Sequence, residues 1–353
     1  MTDTTTSTDE LMRSRVALAG MLFGFQPAQV LATAAELGIA DLIVDEARTS
    51  DDLAASTGTD ADALHRLLRA MAGIGLVDEV EPGRFRLAAH GLALCNGPGG
   101  LRSLARLFGG EQVWRCWGDL VDAVRRGSGR DEIVFERVYG EAAMAYFAAR
   151  PELEAVFNDA MTEATTRALP GIVAAYDWSR FTRLVDIGSG NGTLMAAVLG
   201  SVPALKGVVF DVAAGLAETP GHLDRAGVAD RCDVVAGDFF RAVPDGGDGY
   251  VIKSVLHDWD DDRCTTILRN CREAIAPDGR LVVVEPVLPE RIEHAGQMAG
   301  TLLSDLNMLL LTGGRERTAS AFRGLLAGAG FEMTTVVPTG GTDFSIVEAR
   351  PVG

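Results

Sequence analysis

Cysteine is scarce in this sequence and never closely paired. The five cysteines (Cys95, Cys116, Cys232, Cys264 and Cys271) include no C-x-x-C pair, so no redox or zinc motif is spelled out. An odd number of thiols in 353 residues points to free cysteines kept reduced, and so to a cytoplasmic protein. Cys264 and Cys271 share a predicted helix and are expected to be buried structural thiols. The five histidines join no His/Cys/Asp set with zinc-ligand spacing, and no G-x-x-x-x-G-K-[ST] is present. No metal is therefore expected, and no phosphate loop of that kind. A run of about 18 apolar residues, enough to cross a membrane, is also missing; "LLSDLNMLLL" is interrupted by Asp305. The opening "MTDTTTSTDE" is polar and acidic and does not read as a signal peptide. Basic residues number 32 against 49 acidic, a net charge of −17. A field of that sign repels nucleic-acid backbones and anionic membranes.

Apolar residues make up 47% and charged residues 23%, as in globular proteins, and the length allows two domains with ordinary cores. Residues 1–10 are expected to be unstructured. From Leu11 to Ile43 the sequence predicts helices apolar on most faces, which argues for packing against a partner chain. The stretch from Thr49 to Leu94 then reads helix, turn, helix, hairpin, with Leu53, Leu64, Leu67, Leu68 and Met71 buried and "EPG" at the hairpin tip. That is a winged helix-turn-helix pattern, and it raises DNA binding by a ligand-responsive regulator as an alternative function. The second helix, however, carries only His65, Arg66 and Arg69, flanked by Asp60 and Asp62. A DNA reader needs a basic face, so a docking or dimer scaffold is preferred. "CNGPGGLRS" and "RRGSGRDE" read as loops. Helical patterns continue to about Tyr176. The expected division is 1–100 for the N-terminal domain, 101–176 for a helical connector, and 177–353 for an α/β domain.

Beyond Phe181, short apolar runs alternate with helical segments: "RLVDIG", "GVVFD", "CDVVAGD", "GYVIKSVL" and "RLVVVE". This predicts a parallel sheet with helices on both faces. "FEMTTVVPTGGTDFSIVEAR" adds an antiparallel hairpin at one edge. In open α/β sheets function gathers past the carboxyl ends of strands. Here those ends carry Asp186 with "GSGNG", Asp211, Asp238, His257-Asp258 and Glu285. Gly188, Gly190 and Gly192 allow a tight turn and close approach of a ligand. The position where nicotinamide binders prefer a third small residue holds Thr193. Asp211, 19 residues after Gly192, is placed to accept from both hydroxyls of a ribose, so a nucleoside-containing cofactor is expected. Asp238 can accept from an adenine amino group or cap a turn. Asp258 to Asp262 are expected to open a helix. His257 alone reads either as a structural histidine or as a proton acceptor.

Together "VDIGSGNGTL", "GDFF", "VLHDWDDDRC", "LVVVEPVLPE" and "DLNMLLLTGGRERT" resemble the class I S-adenosylmethionine-dependent methyltransferases, and more narrowly the caffeate-type and antibiotic-pathway O-methyltransferases. The resemblance covers nearly the whole chain. It implies a Rossmann-like domain with a mostly parallel seven-stranded sheet and a C-terminal antiparallel hairpin, preceded by a helical winged-helix dimerisation domain. It also implies a homodimer, an aromatic small-molecule acceptor, and S-adenosylmethionine as cofactor. Carried over by position, Gly188, Gly190 and Gly192 would line the methionine and ribose portion. Asp211 would hold the ribose hydroxyls, Asp238 and Phe239 the adenine. Lys253 matches a cofactor-contacting lysine and Trp259 an aromatic beside the adenine. His257 matches the general base, with Glu285 and Glu316 the acids that flank it. Phe157, Met161 and Thr165 lie on the helix that lines the acceptor pocket in relatives, and Asn307 and Met308 face the same region. "FDVA" stands where many relatives have "FDLP". Some relatives hydroxylate or decarboxylate instead; the presence of His257, Glu285 and Glu316 argues against that here.

Overall fold

The computed structural model describes residues 8–97, 99–127 and 133–352. The start of the expected unstructured N-terminus, Pro98 of the first glycine-rich loop, and the last five residues of "RRGSGRDE" lie outside the described residues. The chain forms two compact units, one up to Trp114 and one from Arg115 onward.

In the first unit, helices Thr8–Leu22, Phe25–Glu36 and Ile39–Leu42 precede a two-residue strand β1 (Arg48–Thr49), helices Ser50–Thr57 and Ala61–Gly73, and strands β2 (Val77–Glu81) and β3 (Arg84–Leu87). Both middle helices begin where the sequence supplies a cap. Thr49 Oγ1 accepts from the Asp52 N–H at 3.1 Å, and Asp60 Oδ1 from the Ala63 N–H at 2.9 Å. Leu53, Leu64, Leu68 and Met71 are buried around Phe85, as the helical spacing predicts, while Leu67 is half-buried. The hairpin turns at Pro82-Gly83, and Gly83 takes the positive φ of 76° that the turn requires. The antiparallel order β1-β3-β2 completes the wing. The first helix is different: Leu11, Met12, Val16, Leu18, Met21 and Leu22 are 45–76% exposed. By length and composition the helical stretch Asp9–Glu36 would suffice to cross a membrane, with a mean hydropathy of 1.4 over its best window. A search for an unbroken apolar run misses it because polar residues such as Gln26 and Gln29 interrupt the sequence.

The second unit is built on β4 (Arg183–Ile187), β5 (Lys206–Asp211), β6 (Cys232–Ala236), β7 (Gly249–Lys253), β8 (Arg280–Leu288), β9 (Arg317–Thr318), β10 (Phe331–Pro338) and β11 (Phe344–Pro351). Seven of these form the sheet in the order β10-β11-β8-β7-β4-β5-β6, and the two-residue β9 pairs with the end of β8. The strands from β6 to β8 are mutually parallel, and β11 runs against both β8 and β10. Gly340 and Gly341, with φ of 70° and 72°, make the turn between β10 and β11. One face of the sheet packs on helices Asp261–Ala274 and Ala319–Gly328, with Cys264 and Cys271 buried there as expected. The other packs on Pro151–Ala175, Thr193–Ser201 and Thr219–Arg225. Buried on both faces, β4, β5, β7 and β8 are apolar runs rather than alternating ones.

Three boundaries differ from the sequence reading. Asp186 and Glu285 lie inside strands, not at their ends. Glu285 nevertheless reaches the rim because β7 stops at Lys253, opposite Val284. The acidic run after His257 is split: a single turn, Leu256–Asp258, comes first, and the helix opens only at Asp261, capped by Asp260 through the Arg263 N–H at 2.8 Å. Asp258 thus belongs to the turn.

Candidate active site

The loop after β4 folds around positive-φ glycines, Gly188 (71°), Gly190 (53°) and Gly192 (79°). Gly188 is forced by packing, since a Cβ there would stand 2.5 Å from Val255 Cγ2. Gly190 is forced by its backbone alone; a Cβ would meet nothing within 4 Å, so the space above it is open. Asp211, at the end of β5, closes the loop from the side. Its Oδ2 accepts from the Gly190 N–H at 2.8 Å and its Oδ1 from the Val212 N–H at 2.7 Å. Each oxygen keeps a free lone pair for a ligand hydroxyl. Burial holds its pKa above the ordinary carboxylate value, against the two N–H bonds. Asn191 ties the loop to the long helix: its Nδ2 donates to Thr162 Oγ1 at 2.9 Å, while its Oδ1 accepts from the Thr193 N–H at 3.2 Å.

Past β6 and β7 stands an aromatic wall. Phe240 meets Trp259 edge to face at 4.9 Å between centroids, and Phe239 meets them at 4.8 and 6.3 Å. Asp238 is exposed and acts as the turn cap that was one of its two readings: Oδ1 accepts from the Phe240 N–H at 2.9 Å. Its Oδ2 lies 3.7 Å from Arg241 Nε. Lys253, half-buried at the end of β7, donates from Nζ to Ser254 Oγ at 3.1 Å and lies 5.4 Å from the Phe344 ring centre. Burial pushes its amine down to about 8, opposed by Asp186 and Glu285. Burial in turn raises Asp186 to about 7, opposed by Lys253.

His257 sits on the turn after β7. Its Nδ1 is 3.2 Å from Glu316 Oε1, and its Nε2 is 4.0 Å from Asp258 Oδ1. Glu316 is buried and also accepts from Ser304 Oγ at 3.3 Å, while its own N–H donates to Asp305 Oδ1 at 2.7 Å. Glu285 acts differently from the ring contact its match implies. Its Oε1 accepts the N–H groups of Val255, Leu256 and His257 at 3.1, 2.7 and 3.2 Å, so it caps the turn and approaches the base through the backbone. Its Oε2 is buried with no hydrogen-bond partner among the described residues. Burial alone would push the His257 pKa down; Asp258, the Glu316 hydrogen bond and Glu285 outweigh it and raise the ring to about 10. Burial raises Asp258 to about 6, with His257 opposing.

The family model for the O-methyltransferase domain matches residues 117–332, and that for the O-methyltransferase dimerisation domain matches 19–95. The chain belongs to the O-methyltransferase family. Among relatives of this O-methyltransferase, phenazine O-methyltransferase PhzM of Lysobacter antibioticus is 43% identical over 336 residues, 95% of this chain and 96% of that one. The solved structure of LaPhzM matches with a TM-score of 0.90 at 42% identity, covering 96% of this chain and 99% of that chain. An O-methyltransferase from neocarzinostatin biosynthesis, solved with S-adenosylmethionine and 2-hydroxy-5-methyl naphthoic acid, matches at 0.77 and 32% identity over 92% of this chain and 96% of that one. The dimerisation match includes the winged-helix segment, in line with the scaffold reading of that segment.

The expected acceptor residues of the O-methyltransferase fall on two helices. Phe157, Met161 and Thr165 recur every four residues on Pro151–Ala175 and so share a face. Phe157 stacks on Phe147 at 5.3 Å between centroids, and Met161 is 36% exposed. Asn307 and Met308 lie on Ala299–Leu311, where Asn307 Oδ1 accepts from Trp117 Nε1 at 2.7 Å. The sequence reading put His257-Asp258 and the loop that holds Asn191 at the rim but gave Asp258 and Asn191 no part in the site, and it missed Ser304. For Asp258 the helix-opening reading hid the role.

Proposed function

We propose that this O-methyltransferase moves a methyl group from S-adenosylmethionine to a phenolic hydroxyl of an aromatic small molecule in secondary metabolism, with His257 taking the phenol's proton. The observation that carries the reading is the setting of His257, whose Nδ1 is engaged by Glu316 at 3.2 Å. That contact leaves Nε2 as the working nitrogen. A phenol has a pKa near 10 and an unperturbed histidine near 6.5, so an ordinary imidazole would hold the proton poorly. With its pKa raised to about 10, His257 holds a proton about as tightly as the phenol does.

The residues around the glycine loop fit the nucleoside cofactor. The open space over Gly190, the Asp211 carboxylate beside it, and the aromatic wall of Phe239 and Trp259 are suited to a ribose and an adenine. Gly188 and Gly192 would lie along the methionine portion, and Asp238 and Lys253 would contribute polar contacts. When bound there, S-adenosylmethionine supplies an electrophilic methyl on a sulfonium. The chain's own task is to hold the acceptor oxygen in line with that methyl, and positioning of this kind supplies much of the rate. Phe157, Met161, Thr165, Asn307 and Met308 serve as the acceptor contacts; methionine and aromatic surfaces suit a flat ring. A cation beside His257 lowers its pKa by like-charge repulsion, which brings the neutral base into play once the site is loaded. Glu316 and Asp258 then stabilise the imidazolium as it forms. The protein acts as a homodimer through its N-terminal helices, and the lack of a disulfide among the described residues fits a cytoplasmic setting.

The test separates binding from chemistry. His257→Ala is expected to bind S-adenosylhomocysteine as the wild type does and to lose at least about 10²-fold in turnover. Asp211→Ala is expected to weaken that binding in calorimetry. Near-normal turnover of His257→Ala with a methylated phenol would sink the base assignment.

A further inference from the structure

One buried cation behind the base turn has no part in the proposed chemistry. Arg317 is 2% exposed and follows Glu316 directly on β9. Its Nη1 donates to the Leu256 carbonyl at 2.8 Å and its Nη2 to the Trp259 carbonyl at 2.9 Å. Nε and Nη2 both reach Asp261 Oδ1, at 3.2 and 2.8 Å. One planar group therefore grips the two carbonyls that bracket His257-Asp258. The His257 carbonyl is taken by the same segment, from the Arg315 N–H at 2.8 Å. Gly314 lies so close that a Cβ would fall 1.9 Å from that carbonyl oxygen. With Glu285 on the N–H groups of Val255, Leu256 and His257, both the N–H and the C=O of Leu256 and of His257 are held from outside the turn.

The ion pair does not explain the arginine. The Asp261 side chain is 61% exposed, and pairs with an exposed partner contribute little, whereas burying a guanidinium is costly. What requires a rigid fork at this place is the pair of carbonyls, which a lysine's single ammonium cannot span in the same way. We infer that Arg317 is a positioning residue: by clamping the carbonyls of Leu256 and Trp259 it sets the direction of the His257 ring. The inference rests on the reading of His257 as the base. The groups facing that ring are Asp258 on its own turn, Glu285 from β8 and Glu316 from the Arg317 segment. Asp305 lies behind Glu316, and Lys253 interacts with Glu285.

The experiment is chemical rescue in the full-length protein. Arg317→Ala is expected to keep S-adenosylhomocysteine affinity and acceptor KM, and to lose about 10²-fold in kcat, as a misplacement of about 1 Å would cause. Millimolar guanidinium chloride is expected to restore kcat in this variant and to leave wild type and His257→Ala unchanged. A folded Arg317→Ala with wild-type kcat, or with a loss that guanidinium does not repair, overturns the inference. If the alanine variant does not fold, Arg317→Lys decides. It is expected to lose at least about tenfold in kcat at unchanged KM, and wild-type kcat overturns the clamp. Should the wild type methylate no phenol, the base reading fails by itself and NMR titration of the His257 ring still judges Arg317. A midpoint that drops toward 6.5 in Arg317→Lys supports the clamp, and an unmoved midpoint overturns it.

Discussion

His257 combines two demands that oppose each other at the scale of one residue. It must bind a proton tightly enough to draw it from a phenol, yet be neutral when the acceptor arrives. Asp258 leads the influences that raise its pKa, so Asp258→Asn is expected to move the rise of kcat/KM to lower pH, because removing the carboxylate destabilises the imidazolium. A pH–rate profile of the two proteins checks this; coincident profiles would leave Asp258 without that role. Linkage gives the sign for stability. A histidine whose pKa rises from 6.5 to about 10 on folding contributes stability that is complete below 6.5 and lost as pH climbs through about 10. Lys253, lowered from 10.5 to about 8, acts in the opposite sense between those values. The comparison must therefore be between variants. The advantage in melting temperature of wild type over His257→Gln is expected to shrink as pH rises from 6.5 toward 10, and a constant difference would contradict it.

At the scale of elements, the turn Leu256–Asp258 depends on one carboxylate oxygen for three N–H groups. Leaving a buried donor unsatisfied costs about 1–3 kcal/mol. Glu285→Ala is thus expected to destabilise by roughly 3 kcal/mol or more, and Glu285→Gln, which keeps an acceptor oxygen, by clearly less; denaturant melts of the two would separate them. The sequence made this region only partly legible. Strand cores announce themselves by apolar runs, and "RLVVVE" located β8. The same run placed Glu285 at a strand end, because nothing in one strand tells where its neighbour stops. The shortness of β7 is what exposes Glu285 to the turn. Likewise "HDWDDDRC" reads as an acidic helix start. Only the turn Leu256–Asp258, which brings Asp258 Oδ1 to 4.0 Å from His257 Nε2, reveals that its first aspartate belongs to the base. The cap residues Thr49 and Asp60, whose partners lie three residues away, were readable because their chemistry is local.

At the scale of the whole molecule, the exposed apolar face of Thr8–Leu22 and the dimerisation-domain match point the same way. Light scattering is expected to show a dimer at micromolar concentration and a smaller species once residues 1–22 are removed; a monomeric full-length protein would refute this. The fold class was legible because alternation of strand and helix is written along the chain, whereas the gripping of the base turn joins residues 28 to 61 positions apart. That separation has a consequence for how the protein comes into being. In a nascent chain the glycine loop and Asp211 are made well before residue 285 exists, and the base turn gains its last supports only when Gly314 to Arg317 have been made and have docked. During synthesis the base turn is therefore the part of the site that is completed last.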